Sequence, residues 1–322
     1  MDNKFPIKIY SDNNRFTIDW TLNTLCTYRC SYCPPDLNQG KNIVFSKSTD
    51  EVIIRSFLEK LDTEIKQRSV HLFLNGGEPT ISHLFEPIID FCAKVGWTSY
   101  VNTNLSRSLD WWLSASDKVF KVTVSYHPEF ATDEIFHKVE KLSQRVNLGV
   151  FVLMYPPFWN KSVAAFERFR SIPNITLEPS RVYKRNERQS DESYNYSNEQ
   201  LDWLEQNSGL RIVATENVKL ASERSYWGET YVRYNELSEE KLDEVEFVNL
   251  KKTNFKGWNC SIGQNHILIH GDGTIYSGTC STSRKISTIK DFVKLPAQGV
   301  VCKTDWCMCT GEVMVNKERV SC

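Results

Sequence analysis

Apolar and polar residues alternate from Phe16 through Ile18 and Trp20 to Leu22, the period of a strand with one buried face. After a polar loop the period changes. Val52, Ile53, Phe57, Leu58 and Leu61 recur at helical spacing behind the capping-box pattern Ser48-Thr-Asp-Glu51. The exchange repeats down the chain: strands are predicted at 70–74, 100–104, 119–125, 148–154 and 175–179, and helices at 84–94, 109–113, 135–142 and 162–170. Strands that alternate with helices make a parallel sheet wound by crossovers. With the first strand, the repeats amount to an α/β fold, a partial (β/α)6 TIM-like barrel, whose site lies at the C-terminal ends of its strands. That geometry selects the polar residues at strand ends: Asn102 and Asn104, Ser125 with His127 just behind it, Met154 and Glu178.

Beyond residue 180 the pattern weakens. Arg181, Lys184, Arg185 and Arg188 form a basic cluster, and a helix is predicted from Ser197, capped by that residue with Gln200 three positions on. Aromatic residues recur at Tyr226, Trp227, Tyr231 and Tyr234. The stretch reads as a solvated bridge, with Arg181, Tyr183 and Arg185 able to hold an anionic substrate. Regular alternation returns at His266–Tyr276, where Asp272-Gly273 supplies the turn of a hairpin. The expected division is a barrel over 1–185, a polar bridge over 186–255 and a small Cys-rich α+β domain over 256–322.

Composition narrows the class. A chain of 322 residues, 40% of them hydrophobic, buries one large core and a smaller one. The net charge of −1 gives no bulk attraction to nucleic acid or anionic lipid. No apolar run approaches a membrane span, and the polar start Met1-Asp-Asn-Lys-Phe-Pro does not read as a signal peptide. The residues before the first strand leave no room for an N-terminal peptide-binding domain. Ten cysteines without an export signal point to metal ligation in a reducing, cytoplasmic compartment.

Three of those thiols lie just after the first strand, at Cys26, Cys30 and Cys33 within the run Leu22–Pro35. The spacing Cys-x3-Cys-x2-Cys lets a short loop wrap one corner of a cubane iron–sulfur cluster and leaves one iron without a protein ligand. A zinc site would need a fourth ligand nearby. Cys92, on the apolar face of its helix, reads as an inert core thiol. With Tyr32 in the aromatic place, the run resembles the Cys-x3-Cys-x-aromatic-Cys signature of radical S-adenosylmethionine (SAM) enzymes. The resemblance implies that SAM chelates the open iron and is cleaved to a 5′-deoxyadenosyl radical. Gly76, Gly77, Glu78 and Pro79, one strand later, resemble the family's Gly-Gly-Glu-Pro motif, which implies a role in holding the SAM amino group. By the same resemblance Asn102, Asn104 and Ser125 contact the SAM ribose or carboxylate, and the strand ending at Met154 packs against adenine. Glu178 and His127 are candidates to take a proton released in an oxidation.

The remaining thiols cluster late, at Cys260, Cys280, Cys302, Cys307, Cys309 and Cys322. A cysteine, a hairpin, another cysteine and a cysteine cluster resemble the SPASM or twitch auxiliary-cluster domains of many radical SAM enzymes. The closing Cys302-x4-Cys307-x-Cys309 departs from the full SPASM pattern. The resemblance implies one auxiliary [4Fe–4S] cluster held by four of Cys260, Cys280, Cys302, Cys307 and Cys309, with Cys302 and Cys309 competing for the last place; a structural zinc is the other reading. The family reading brings a peptide or small-molecule substrate and an electron donor such as flavodoxin or ferredoxin. An iron–sulfur electron carrier and a zinc-stabilised nucleic-acid-binding protein are the readings from other classes, the latter disfavoured by the balanced charge.

Overall fold

The computed structural model describes residues 5–11, 14–33, 47–185, 191–208, 210–212, 230–235, 238–242, 247, 253–307 and 310–320. Pro35, Arg188, Tyr226, Trp227, Cys309 and Cys322, named above, lie outside them. Strands β1 (Lys8–Ser11) and β2 (Arg15–Asn23) open the chain, and helix α1 (Lys47–Glu64) leads to β3 (Ser69–Gly76). Then α2 (Phe85–Val95), β4 (Thr98–Thr103), α3 (Leu109–Ala115), β5 (Lys121–Tyr126) and α4 (Glu134–Leu142) follow in turn. β6 (Asn147–Leu153), α5 (Trp159–Arg170) and β7 (Ile175–Ser180) complete the alternating part. Next come β8 (Tyr183–Arg185), β9 (Asp191–Ser193), α6 (Asn198–Asn207), β10 (Leu210–Ile212), β11 (Thr230–Asn235) and β12 (Ser238–Leu242). The last strands are β13 (Trp258–Cys260), β14 (His266–Ile269), β15 (Thr274–Tyr276), β16 (Lys285–Thr288), β17 (Val300–Val301) and β18 (Lys317–Arg319). The architecture is mixed α/β.

Contacts divide the chain into two compact units, Leu22–Val44 with Leu74–Ala221, and Met1–Thr21 with Phe45–Phe73 and Ser222–Cys322. In the first of these, β4, β5, β6 and β7 pair parallel in sequence order, and β10 adds antiparallel to β7. The register Asn102↔Thr123, Ser125↔Phe151 and Phe151↔Glu178 puts these residues on one face of the sheet. The other face carries Val101, Val122, Val124, Val150, Val152 and Leu177, all at most 1% exposed. It is covered by helices: Tyr126 meets Phe136 of α4 and Phe169 of α5 at centroid distances of 6.1 and 5.7 Å. One face is thus sealed by aliphatic burial and the other left polar.

The second unit holds a six-stranded sheet in the order β12-β11-β1-β18-β13-β17, and β2 pairs parallel with β14 through Thr17–Trp20. Its apolar filling is led by Trp20, Phe57 and Phe292, whose rings meet edge to face at 5.9 and 5.3 Å; each such burial contributes about 1.5–3 kcal/mol.

Several expectations shift. Helix α1 starts at Lys47, so Ser48 lies inside it rather than capping it, an offset of the size helix ends commonly show. β4 ends at Thr103 and β6 at Leu153, leaving Asn104 and Met154 just past their strands. The region expected to be a solvated bridge supplies β11, which pairs with β1 and buries Val232 completely. Thr230, Val232 and Tyr234 carry that inward period, which the surrounding charges obscured. The capping box at Ser197 and Gln200 is formed in full. Among the described residues no helix is long and apolar enough to cross a membrane.

Candidate functional site

The cysteine loop leaves the end of β2 and is laced to the turn that follows β3. The Gly77 N–H donates to the Asn23 carbonyl at 3.0 Å, the Glu78 N–H to the Leu25 carbonyl at 2.7 Å, and Asn23 Nδ2 to the Glu78 carbonyl at 3.0 Å. Both glycines are dictated by this approach. A Cβ on Gly76 would collide with the Asn23 carbonyl and one on Gly77 with that of Leu25, and Gly76 stands at φ 145°. The space these glycines leave is filled by the backbone that carries Cys26.

Glu78 is fully buried. Its carboxylate accepts from the Thr80 N–H at 3.2 Å and hydroxyl at 2.5 Å, from the Thr103 hydroxyl at 2.9 and 3.0 Å, and from the Asn104 N–H at 2.7 Å. Burial raises its pKa, and these donors oppose the rise. The side chain is therefore engaged in fastening the turn after β3 to the end of β4. Pro79 starts the short 3-10 turn Pro79–Ile81 that Glu78 caps, and Arg107 holds the same turn through the Thr80 carbonyl at 2.9 and 3.1 Å.

Around the thiols the side chains are aromatic. Tyr32 stacks on His127 at 6.0 Å and 8°, and its hydroxyl lies 3.0 Å from His127 Nδ1, which is also 3.5 Å from Cys30 Sγ. Burial holds the His127 imidazole down to about 4, so the ring is neutral at neutral pH. Tyr28 stacks on Phe130 at 5.5 Å, and Tyr155 meets Tyr32 at 4.6 Å. Burial pushes the Cys30 thiol up to about 12 and raises that of Cys26. Cys26 Sγ receives the Tyr28 N–H at 3.4 Å and Asn104 Nδ2 at 3.6 Å, and Asn104 also donates to the Thr27 hydroxyl at 3.0 Å. Cys33 is half-buried, against the same group.

The predicted site residues thus fall into three places. Tyr32 and His127 join Cys30, and Asn104 reaches Cys26. Asn102, Ser125 and Glu178 share the open face of the sheet, with Asn102 donating to Asn75 and Phe151, 39% exposed, between the other two. Met154 is fully buried beside these strands, its carbonyl accepting the Tyr196 hydroxyl at 2.8 Å. Sequence reading missed Glu129, which takes the Ser31 N–H at 2.7 Å and the Ser31 hydroxyl, clamping the cysteine loop from 98 residues away. It also missed Thr103 and Tyr155. Nothing in local pattern marks such partners, since only the loop's position makes them neighbours.

Four late thiols also come together, in the other unit. Cys260 ends β13 and pairs with Val300 of β17, which brings Cys302 alongside, where its N–H donates to the Trp258 carbonyl at 2.7 Å. Cys260, Cys302 and Cys307 are 6–8% exposed in one core group, with Cys280 packed against it. Burial pushes Cys280 up to about 11 and Cys307 up to about 12. Cys92 stands apart, fully buried and pushed up to about 12.

Both donor sets suit iron–sulfur clusters. All are soft thiols free of disulfides, the ligand type that such clusters take.

No protein-family model matches the chain, and no curated protein does. Among solved structures it is similar to Streptococcus suis SuiB at 13% identity and a TM-score of 0.49, covering 87% of this chain and 64% of that one. It is also similar to anSMEcpe with bound AdoMet (16% identity, TM-score 0.47, 86% and 78% covered). A third similar structure is BtrN in complex with AdoMet and 2-DOIA (11% identity, TM-score 0.38, 82% and 73% covered). These neighbours are radical SAM enzymes. The chain spans less than two thirds of the SuiB chain, and at such scores the functional reading rests on its own residues.

Proposed function

We propose that the chain is a radical SAM enzyme with a partial (β/α)6 barrel and an auxiliary iron–sulfur cluster. The observation that carries this reading is the lacing of the Cys26–Cys33 loop to the Gly76–Pro79 turn, beside the open polar face of a parallel sheet. Cys26, Cys30 and Cys33 would hold a [4Fe–4S] cluster with one iron left for SAM. The bound pair supplies a 5′-deoxyadenosyl radical once an electron donor of the flavodoxin or ferredoxin type has reduced it.

The chain's own residues do the rest. Glu78, Arg107 and Glu129 keep the loop and the turn in one geometry, which matters because radical transfer depends on close placement of the reacting atoms. The aromatic group of Tyr28, Tyr32, Tyr155 and Phe130 shields Cys30 from water. Asn102, Ser125 and Glu178 meet a polar substrate, a small molecule or a peptide segment. Glu178, on the open face, is the proton acceptor favoured here, because the His127 ring is engaged with Tyr32. Cys260, Cys280, Cys302 and Cys307 would hold the auxiliary [4Fe–4S] cluster. With four thiols it would have no open iron, which fits accepting the electron of a substrate radical as that radical is oxidised better than direct substrate binding. Free thiols of this kind belong in a reducing compartment such as the cytoplasm.

Anaerobic reconstitution with iron and sulfide, followed by reduction in the presence of SAM, tests the proposal. About eight irons per chain and formation of 5′-deoxyadenosine are expected. Zinc in place of iron, or iron without SAM cleavage, would overturn it.

A further inference from the structure

Granted that Cys260, Cys280, Cys302 and Cys307 hold an auxiliary cluster, one carboxylate beside them calls for a role. Glu312, in the short helix Thr310–Val313, is 3% exposed. Its Oε1 accepts both the N–H and the hydroxyl of Thr279, the hydroxyl at 2.7 Å, and Thr279 immediately precedes Cys280. Gly278 makes room for this contact, since a Cβ there would stand 2.5 Å from Oε1. The second oxygen, Oε2, is buried and has no hydrogen-bond partner among the described residues. A buried anionic oxygen without a donor is costly and is kept only where the surroundings compel it.

Among the described residues no cationic side chain hydrogen-bonds to the Glu312 carboxylate. His266 is buried, with Nδ1 2.8 Å from the Thr17 hydroxyl and Nε2 3.9 Å from Glu312 Oε1, beyond hydrogen-bond range. Burial lowers the pKa of that ring, against the opposing pull of Glu312. The Lys317 ammonium is engaged by the carbonyls of Glu312, Val313 and Val315 at 2.8, 2.8 and 2.9 Å. Lys317 lies opposite Cys260 in the strand register, and its charge offsets that of Glu312 at Cys260 and Cys307. At Cys280 the foremost charge is Glu312 itself.

We propose that Glu312 is a positioning and tuning residue of the auxiliary cluster: it fixes the Thr279–Cys280 backbone, and its buried charge holds the cluster's one-electron reduction potential down. A negative charge near the cluster in a low-dielectric core disfavours the added electron. Lys317 moderates the effect on the opposite side.

The test is a redox titration of the reconstituted full chain, with the auxiliary cluster followed by electron paramagnetic resonance. Glu312→Gln keeps the shape and an oxygen for Thr279 but removes the charge. It is expected to raise the reduced-to-oxidised ratio at a fixed potential about tenfold, a midpoint shift of about 59 mV for one electron. Glu312→Asp keeps the charge and is expected to leave the midpoint nearer the wild-type value than the glutamine variant does. An unmoved midpoint in Glu312→Gln, with wild-type iron content, would overturn the tuning role. About four irons in the wild-type chain itself would instead sink the auxiliary cluster, a separate failure visible before any variant is made.

Discussion

The two groups of thiols are built to opposite plans. Cys26, Cys30 and Cys33 lie on a loop at a sheet end, walled by Tyr28, Tyr32, Tyr155 and His127 and tied down by polar residues from several elements. Cys260, Cys280, Cys302 and Cys307 lie on and between short strands, inside an aliphatic and aromatic core that includes Val313, Phe255 and Trp258. On the function proposed above, three thiols on a loop would leave a metal corner for an incoming molecule, whereas four in a core would close the shell and leave the field of nearby charges as the means of control. The number of thiols and their setting would then separate binding from electron storage.

The largest effects should come from breaking either set. Cys30→Ser is expected to abolish 5′-deoxyadenosine formation while leaving about four irons per chain. Cys307→Ser should lose a similar share of the iron yet still cleave SAM. Iron analysis beside the nucleoside assay reads both at once. Equal loss of SAM cleavage in the two variants would erase the contrast.

Next in size is the lacing of the loop. Gly77→Ala places a Cβ against the Leu25 carbonyl, and a shift of about an ångström at a radical site costs on the order of 10²-fold in rate. Gly96 is the control, since a Cβ there meets nothing within 4 Å. Because Gly96 closes α2 at φ 80°, its alanine variant should lose about 1–2 kcal/mol of stability with nucleoside formation unchanged. Melting curves and 5′-deoxyadenosine rates separate the two.

What could be read in the sequence follows from this. The alternating periods located every strand from β2 to β7, because one face of each is buried at alternate positions. The Gly76-Gly77 pair was legible as a close approach, although the partner turned out to be the cysteine loop's own backbone. The thiol spacing marked Cys26, Cys30 and Cys33 at once. Glu129, Thr103 and Glu312 were not legible, since their roles depend on loops that meet only after folding. Val232 was hidden for a different reason: its inward period runs through Tyr231, Arg233 and Glu240, whose polarity belongs to the opposite face or the neighbouring strand.

A smaller effect concerns the histidine in each set. His127 is held down to about 4 by burial, and His266 is lowered by the same cause. Each ring binds its proton less tightly when folded than the ordinary value near 6.5. Their share of stability is therefore whole above about pH 6.5 and is lost as pH falls toward 4, because the unfolded chain then binds more protons. In the metal-free protein, the stability difference between wild type and His127→Gln should be flat above pH 6.5 and move in favour of the variant below it. Chemical denaturation at stepped pH measures this, and a difference that stays flat to pH 4 would mean the ring is solvated.

The smallest expected effects lie in the bonds to sulfur. Asn104 Nδ2 reaches Cys26 Sγ at 3.6 Å, and the Thr282 hydroxyl reaches Cys302 Sγ at 3.9 Å. A donor to a ligating sulfur draws charge from it and raises the cluster potential. Asn104→Ala and Thr282→Val should each lower the potential of their own cluster and leave the other unmoved. The shift should be larger for Asn104: it is the nearer donor, and its amide is held by the Thr27 hydroxyl and the Ser106 N–H. A roughly threefold change in the reduced fraction at a fixed potential corresponds to about 0.7 kcal/mol, within the net worth of one hydrogen bond. If Thr282→Val shifted the loop cluster, the two sets would be electronically coupled, and the division between a binding cluster and a storage cluster would have to be redrawn.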